Sequence, residues 1–397
     1  MVFELTDEQK EVRRLCRDFA KKEITPFIEE REREGVFRRD VFEKMGKEGF
    51  FGCLFPPEYG GTGSGFLTLS IIMEEFSRAS VETAICWNNQ AVNVPMAIYL
   101  FGTEEQKRKY IPKLISAEMI GCFALTEPDA GSDNAGMQTR ATSNKDGYVL
   151  NGSKMWATLG NVADLILVFA KTDPSAGAKG VSAFLVETKD LKGFEGRKIP
   201  SSIGTNIIPS ADLVFDECQI PADALLGEEN EGMKVALQTL QYGRVCVPAR
   251  AVGIGQACLD HSIRYSQERL AFGKQIAEYQ AIQHNIAEMS VLVEASRLMV
   301  QKAASLADQE EPFGKAASMA KYFAGEAVTE VSDLAMEVYG GYAFANEYPI
   351  NRFLMISRVF RTGEGAPNIQ RNLIAQDELG WKKIDRYFGK LNTTVKQ

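Results

Sequence analysis

The chain reads as an α+β protein in three successive parts: a helical segment over 1–120, a β segment over 121–230 and a second helical segment over 231–397. Three observations carry this reading. Apolar residues recur at helical spacing in the first part. Runs of β-branched and aromatic residues then cluster between Tyr148 and Phe215. From Glu231 the helical period returns and holds to the end.

Taken in order, Thr6-Asp-Glu-Gln9 has the form of a capping box, and Val12, Leu15 and Phe19 follow at helical spacing until Pro26. Further helices are expected over Asp40 to Glu48, Leu67 to Ser80 and Glu104 to Leu114, divided by glycine and proline clusters such as Pro56-Pro-Glu-Tyr-Gly-Gly-Thr-Gly-Ser-Gly65. No Gly-Lys-Ser/Thr follows that cluster, so it reads as a loop and not as a phosphate cradle. Strands are expected at Tyr148-Val-Leu150, Leu165–Ala170, Val181–Val186 and Leu213-Val-Phe215. In the third part Ile282, Ile286, Met289, Val293 and Val300 mark one apolar face, as in an antiparallel bundle. Pro248 should kink its helix or mark where it starts.

Composition narrows the function. With 45% hydrophobic and 25% charged residues the chain is an ordinary globular protein, and its formal charge of −8 argues against nucleic-acid binding. The seven cysteines form no Cys-x-x-Cys pair and sit in apolar surroundings, as small buried hydrophobes in a reducing compartment do. No signal-peptide pattern opens the chain and no window has a membrane span's apolar length, so a cytoplasmic protein without membrane contact is expected.

Near the C-terminus, Arg361-Thr-Gly-Glu-Gly-Ala-Pro-Asn-Ile-Gln-Arg371 sets one carboxylate, Glu364, between two glycines ahead of an apparent helix. Glycine lets the backbone approach a flat ligand where a side chain would block it, which suits a base that must meet its substrate closely. Far upstream stands Phe123-Ala-Leu-Thr-Glu-Pro-Asp-Ala-Gly-Ser-Asp133, and between the two lie Arg269-Leu-Ala-Phe-Gly-Lys274 and Gly340-Gly341. Together these segments resemble the acyl-CoA dehydrogenase family, flavoenzymes that oxidise the α,β bond of acyl-CoA thioesters.

The resemblance implies an N-terminal helical domain, a central β-barrel-like domain and a C-terminal four-helix bundle. It also implies FAD, since no amino-acid side chain accepts a hydride and no Gly-x-Gly-x-x-Gly lies between a strand and a helix. Glu364 matches the base of the family's Glu-Gly-Thr-Ser motif, although Ala366-Pro-Asn368 replaces the residues that usually follow Gly365. Branches that carry the base on another helix place it just before the residue matching Arg244, and here that position is Gly243. Phe123, Leu125 and Thr126 match a strand lining the flavin ring, Trp156 and Thr158 its other side, and Ser132 a residue near the CoA pyrophosphate. Glu127 and Asp133 match residues that organise the loop. Arg269, Phe272 and Gln280 match residues that reach the FAD of a neighbouring subunit, which implies a homo-oligomer, expected as a tetramer, and Gly340 and Gly341 match a pair close to the dinucleotide. Glu337 stands where the family usually has glutamine, so its charge must be turned away, protonated or paired.

Trp87, Ser132, Tyr242, Gly243, Arg244 and Gly365 are the expected substrate contacts. Trp87 would shorten the acyl cavity in favour of a short, branched or cyclic group, or else would fill a helix interface. Glu82 stands where glutaryl-CoA enzymes carry an arginine, which argues against a dicarboxylic substrate. Gly204-Thr-Asn-Ile-Ile208 lacks the family's usual β-domain pattern. An electron-transferring flavoprotein is the expected electron acceptor, with enoyl-CoA reduction or an acyl-CoA oxidase as alternatives.

Overall fold

The computed structural model describes residues 4–200, 207–381 and 384–385; Gly204–Asn206 lie outside these. Helix α1 (Asp7–Glu23) opens on the expected capping box, in which the Gln9 N–H donates to the Thr6 hydroxyl and the Thr6 N–H to the Gln9 side chain. Short helices α2 (Ile28–Glu34) and α3 (Arg39–Lys47) lead to α4 (Gly65–Ala79), which packs on α1. Next come α5 (Val81–Asn88), a five-residue π-helical turn (Asn89–Asn93), α6 (Val94–Phe101) and α7 (Glu104–Ile115). Sequence periodicity had not marked α5, the π turn or α6, because they are buried almost all round and show no polar face.

The middle part is an eight-stranded sheet: β1 (Gly121–Ala124), β2 (Arg140–Asn144), β3 (Gly147–Thr158), β4 (Leu165–Lys171), β5 (Val181–Glu187), β6 (Phe194–Lys198), β7 (Ser210–Ile220) and β8 (Leu225–Leu226). The hydrogen-bonded order is β6-β7-β3-β2-β4-β5-β8, with β1 parallel to β4 beside this path. All eight strands send side chains into one shared core, among them Ala124, Ala141, Leu150, Val168, Phe184, Phe194, Phe215 and Leu225. A sheet that wraps its own core is the barrel-like form the family resemblance implies. β4 and β5 are apolar without alternation because both faces are covered. Ile166, Val168 and Ala170 face the sheet's own core, whereas Leu165, Leu167 and Phe169 join the helical core.

The third part is built on α8 (Gly232–Glu268), α9 (Gln280–Asp308) and α10 (Gly314–Tyr339), which pack pairwise, with α11 (Ile350–Ser357), α12 (Val359–Thr362) and α13 (Pro367–Glu378) along α10. On α9, Met289, Val293 and Val300 are buried and Ile282 and Ile286 pack against the core, as the spacing predicts. Pro248 does not start a helix: α8 runs through it from Gly232, with tertiary packing outweighing the local penalty. At Gly253, α8 comes so near α4 that a Cβ would lie 2.4 Å from the Glu74 carbonyl oxygen. This crossing joins the first and third parts. All seven cysteines are buried and free, as expected.

Candidate active site

Glu364 sits in the turn between α12 and α13 with φ +54°, a conformation that costs a non-glycine residue on the order of 1–3 kcal/mol. Gly365 follows at φ +111°, and a Cβ on it would meet the Gln370 amide nitrogen at 2.5 Å. The turn is held from below by Lys321 of α10, buried and bonded to the carbonyl of Arg361 at 3.0 Å and to that of Gly365. Burial pushes the Lys321 ammonium down to about 8, although the Glu364 charge opposes the shift.

The two carboxylate oxygens of Glu364 are unequal. Oε1 accepts from Asn88 Nδ2 at 2.9 Å and from Arg250 Nη2 at 3.4 Å. Oε2 is buried without a hydrogen-bond partner among the described residues. Facing it is Gly243 of α8, where a Cβ would stand 2.3 Å from Oε2 and 3.2 Å from Asn93 Oδ1. Glycine at 243 is therefore the space the Glu364 side chain occupies. Asn88 and Asn93 reach this place together because the π turn between them aligns residues five apart.

The expected flavin-facing residues converge as well. The Met155 N–H donates to the Thr126 carbonyl at 2.8 Å, joining the end of β1 to the end of β3. Leu125 is buried, Phe123 packs on Phe169 with ring centroids 5.1 Å apart, and Trp156 takes φ +60° with half its surface exposed. Asn89 Nδ2 donates to the Thr158 carbonyl at 2.9 Å, tying the π turn to β3, while Gln90 clamps the same turn to the Gly121 N–H and to the Leu114 and Met119 carbonyls. Glu127 is paired with Lys154 at 2.7 Å and accepts from the Gln138 and Thr139 N–H groups. It organises the loop, as the resemblance implied. Ser132 is exposed in that loop.

A separate cleft of about 740 Å³ is lined by Arg269, Phe272, Tyr279, Glu337, Gly340, Gly341 and Tyr342, and none of these residues lines the Glu364 site. Phe272 is 98% exposed, and the Arg269 guanidinium lies over the Tyr342 ring, 5.2 Å from its centroid. A Cβ on Gly340 or Gly341 would meet nothing within 4 Å, so the backbone there is open to a ligand. The Glu337 carboxylate accepts from Asn285 Nδ2 at 2.9 Å, a neutral donor that leaves its charge at the cleft. Gln280, the first residue of α9, is exposed. The half-exposed indole beside a strand end offers a face to a flat ring, and at the separate cleft the bare glycine pair beside Arg269, which has no ion pair among the described residues, can take an anionic group.

The substrate expectations fare unevenly. Gly243, Arg244 and Gly365 adjoin Glu364, and Arg244 is buried with Nε unpartnered. Tyr242 belongs instead to an aromatic group with Phe66 and Phe313, at centroid distances of 5.5 and 5.2 Å. Trp87 has no accessible surface and packs on Phe51 at 5.7 Å, which is the helix-interface role. Glu82 is buried between Arg352, 3.2 Å away, and the Ser80 hydroxyl. Sequence reading had missed Asn88, Asn93, Arg250 and Lys321, which come from three distant segments. Only Arg250 left a trace, as a charge two residues beyond a proline in an apolar stretch.

Profiles described as the acyl-CoA dehydrogenase N-terminal, middle and C-terminal domains match residues 6–118, 122–218 and 230–379. The chain belongs to the acyl-CoA dehydrogenase family. It is 38% identical to the glutaryl-CoA dehydrogenase of Desulfococcus multivorans over 97% of this chain and 100% of that one. It is also 38% identical to the caffeyl-CoA reductase–Etf complex subunit CarC of Acetobacterium woodii, over 93% and 98%. The solved structure of a glutaryl-CoA dehydrogenase with glutaryl-CoA superimposes with a TM-score of 0.94 at 38% identity, covering 97% of this chain and 98% of that one. Acyl-CoA dehydrogenases are FAD flavoproteins and oxidoreductases acting on the CH–CH group of acyl-CoA, and so is this protein. No described helix is long and apolar enough to cross a membrane.

Proposed function

We propose that this acyl-CoA dehydrogenase converts an acyl-CoA with a short, branched or cyclic acyl group to the trans-2-enoyl-CoA, with Glu364 as the base that removes the α-proton. The observation that carries the assignment is the inequality of the Glu364 oxygens. Asn88 and Arg250 fix Oε1, so the side chain does not swing, and the buried, unpartnered Oε2 is left to take the proton. Arg244, buried beside the same carboxylate, offers a positive field to the charge that develops on the thioester when the proton leaves. The hydride acceptor for the β-carbon would be supplied by bound FAD.

Phe123, Leu125, Thr126, Trp156 and Thr158 are the proposed walls of the isoalloxazine site, and Ser132 a CoA contact. Arg269, Phe272, Gln280, Gly340 and Gly341 are proposed to hold the far end of a cofactor shared with a neighbouring copy, in a homo-oligomer taken to be a tetramer. An electron-transferring flavoprotein is the proposed electron partner, which the name of the Acetobacterium woodii relative supports. That name also favours a second reading, in which the same site reduces an enoyl-CoA. A cytoplasmic location is proposed with these. Anaerobic addition of short acyl-CoA thioesters to the yellow holoenzyme tests the reaction: the flavin should bleach within seconds, and a flavin that stays oxidised with every thioester would reject it.

A further inference from the structure

The buried charge around Glu364 does not balance. Arg244, Arg250 and Lys321 bring three cations to the site. Among the described residues Glu364 is the only carboxylate that acts on Arg244 and Arg250; Glu326, which also acts on Lys321, is taken up by Arg361 at 2.9 Å. Lys321 spends its donors on two carbonyls of the turn. Arg244 lies next to Gly243, where the thioester must pass Glu364. Arg250 is only partly used by holding Glu364: it is 6% exposed, its one ion pair among the described residues is that long contact, its Nε is unpartnered, and its guanidinium lies over the Phe360 ring at 5.6 Å. A buried guanidinium keeps its proton, and leaving it short of partners costs several kcal/mol unless a ligand completes it.

We propose that Arg250 is the recognition site for a carboxylate carried by the acyl group, so that the substrate is a short dicarboxylic acyl-CoA thioester. This rests on the reading of Glu364 as the base. Arg250 Nη2 is 3.4 Å from Oε1 of Glu364, so with Oε2 directed at the α-carbon the guanidinium is close enough to be the partner of a carboxylate one or two carbons beyond the β-carbon. The acyl group is then of succinyl or glutaryl type, straight or substituted. Arg250 lies two turns along α8 from Gly243, so the thioester end and the distal end of such a group would be read by one helix face. Under this proposal the cation that position 82 lacks would come from a different helix, against the expectation drawn from Glu82.

The test compares thioesters of matched length on the FAD holoenzyme. The wild-type kcat/KM for glutaryl-CoA should exceed that for pentanoyl-CoA by about tenfold or more. R250M should shift the ratio of the two by at least about a hundredfold toward the neutral substrate, as expected on removing one partner of a buried charge pair. Binding of a non-oxidisable thioether pair, one with and one without the distal carboxylate, should show the same shift in Kd. If R250M lowers both substrates alike, or the wild type prefers the neutral one, Arg250 only positions Glu364 and the proposal fails. Should R250M lose FAD, the wild-type preference decides alone. If no thioester bleaches the flavin, the reaction assignment fails, while the thioether pair still tests Arg250.

Discussion

At the scale of single residues, the site depends on what is missing from Gly243 as much as on what Glu364 carries. A methyl group at 243 would overlap Oε2, a side-chain atom and not backbone, so the fold can absorb it while the base cannot stay in place. We expect Gly243→Ala to leave the thermal midpoint unchanged or slightly raised, since alanine gains about 1 kcal/mol over glycine inside a helix. Its kcat should fall by about a hundredfold, the usual cost of moving a reacting group by about 1 Å. Near-native turnover with intact stability would show that Glu364 does not work from the position described. Glu364 was marked by the glycines on both sides only in combination with the segments that carry the family resemblance. Arg250, Asn88 and Lys321 were not, because their meaning lies in contacts across the chain with residues 114, 276 and 44 positions away.

At the scale of elements, the long helices and β4 and β5 were legible because burial of one stripe, or of both faces, imposes a pattern. β2 and β6 were not, since their outward residues are polar and exposed, and the π turn has a period that helical spacing does not describe. The loop after β1 depends on the Glu127–Lys154 pair, in which Lys154 has no accessible surface and also donates to the Leu125 carbonyl. Burial pulls Lys154 down to about 8, with Glu127 opposing. The unfolded lysine titrates near 10.5, so between about 8 and 10.5 the unfolded chain holds more protons and this group favours folding as pH rises. Glu127→Gln should cost about 3–5 kcal/mol near pH 7, where a lone ammonium is left buried, and less as the pH is raised through 8 and Lys154 loses its proton. Urea unfolding at pH 7 and pH 9.5 measures this. An equal loss at both values would mean that the pair's charge is not what holds the loop.

At the scale of the whole molecule, the three parts meet at one place. The π turn of the first, the ends of β1 and β3 of the second and the Glu364 turn of the third are joined through Asn89, Gln90 and Asn88. The order α, β, α was readable from the texture of the sequence, whereas this junction was not, since no local pattern encodes which turn of one part faces which strand end of another. The exposed cleft at Arg269 and Phe272 is proposed to be completed by a second copy. Arg269→Ala should therefore weaken FAD retention and the oligomer together, read as flavin-to-protein absorbance across a sizing column; full flavin in an unchanged oligomer would assign Arg269 to the Tyr342 contact alone. The most direct measurement on the central claim is anaerobic stopped-flow of Glu364→Gln, which keeps the Asn88 and Arg250 neighbours but removes the basic oxygen. The account predicts a yellow protein that still binds acyl-CoA and bleaches at least about a thousandfold more slowly than wild type; a bleaching rate near that of wild type would place the base elsewhere.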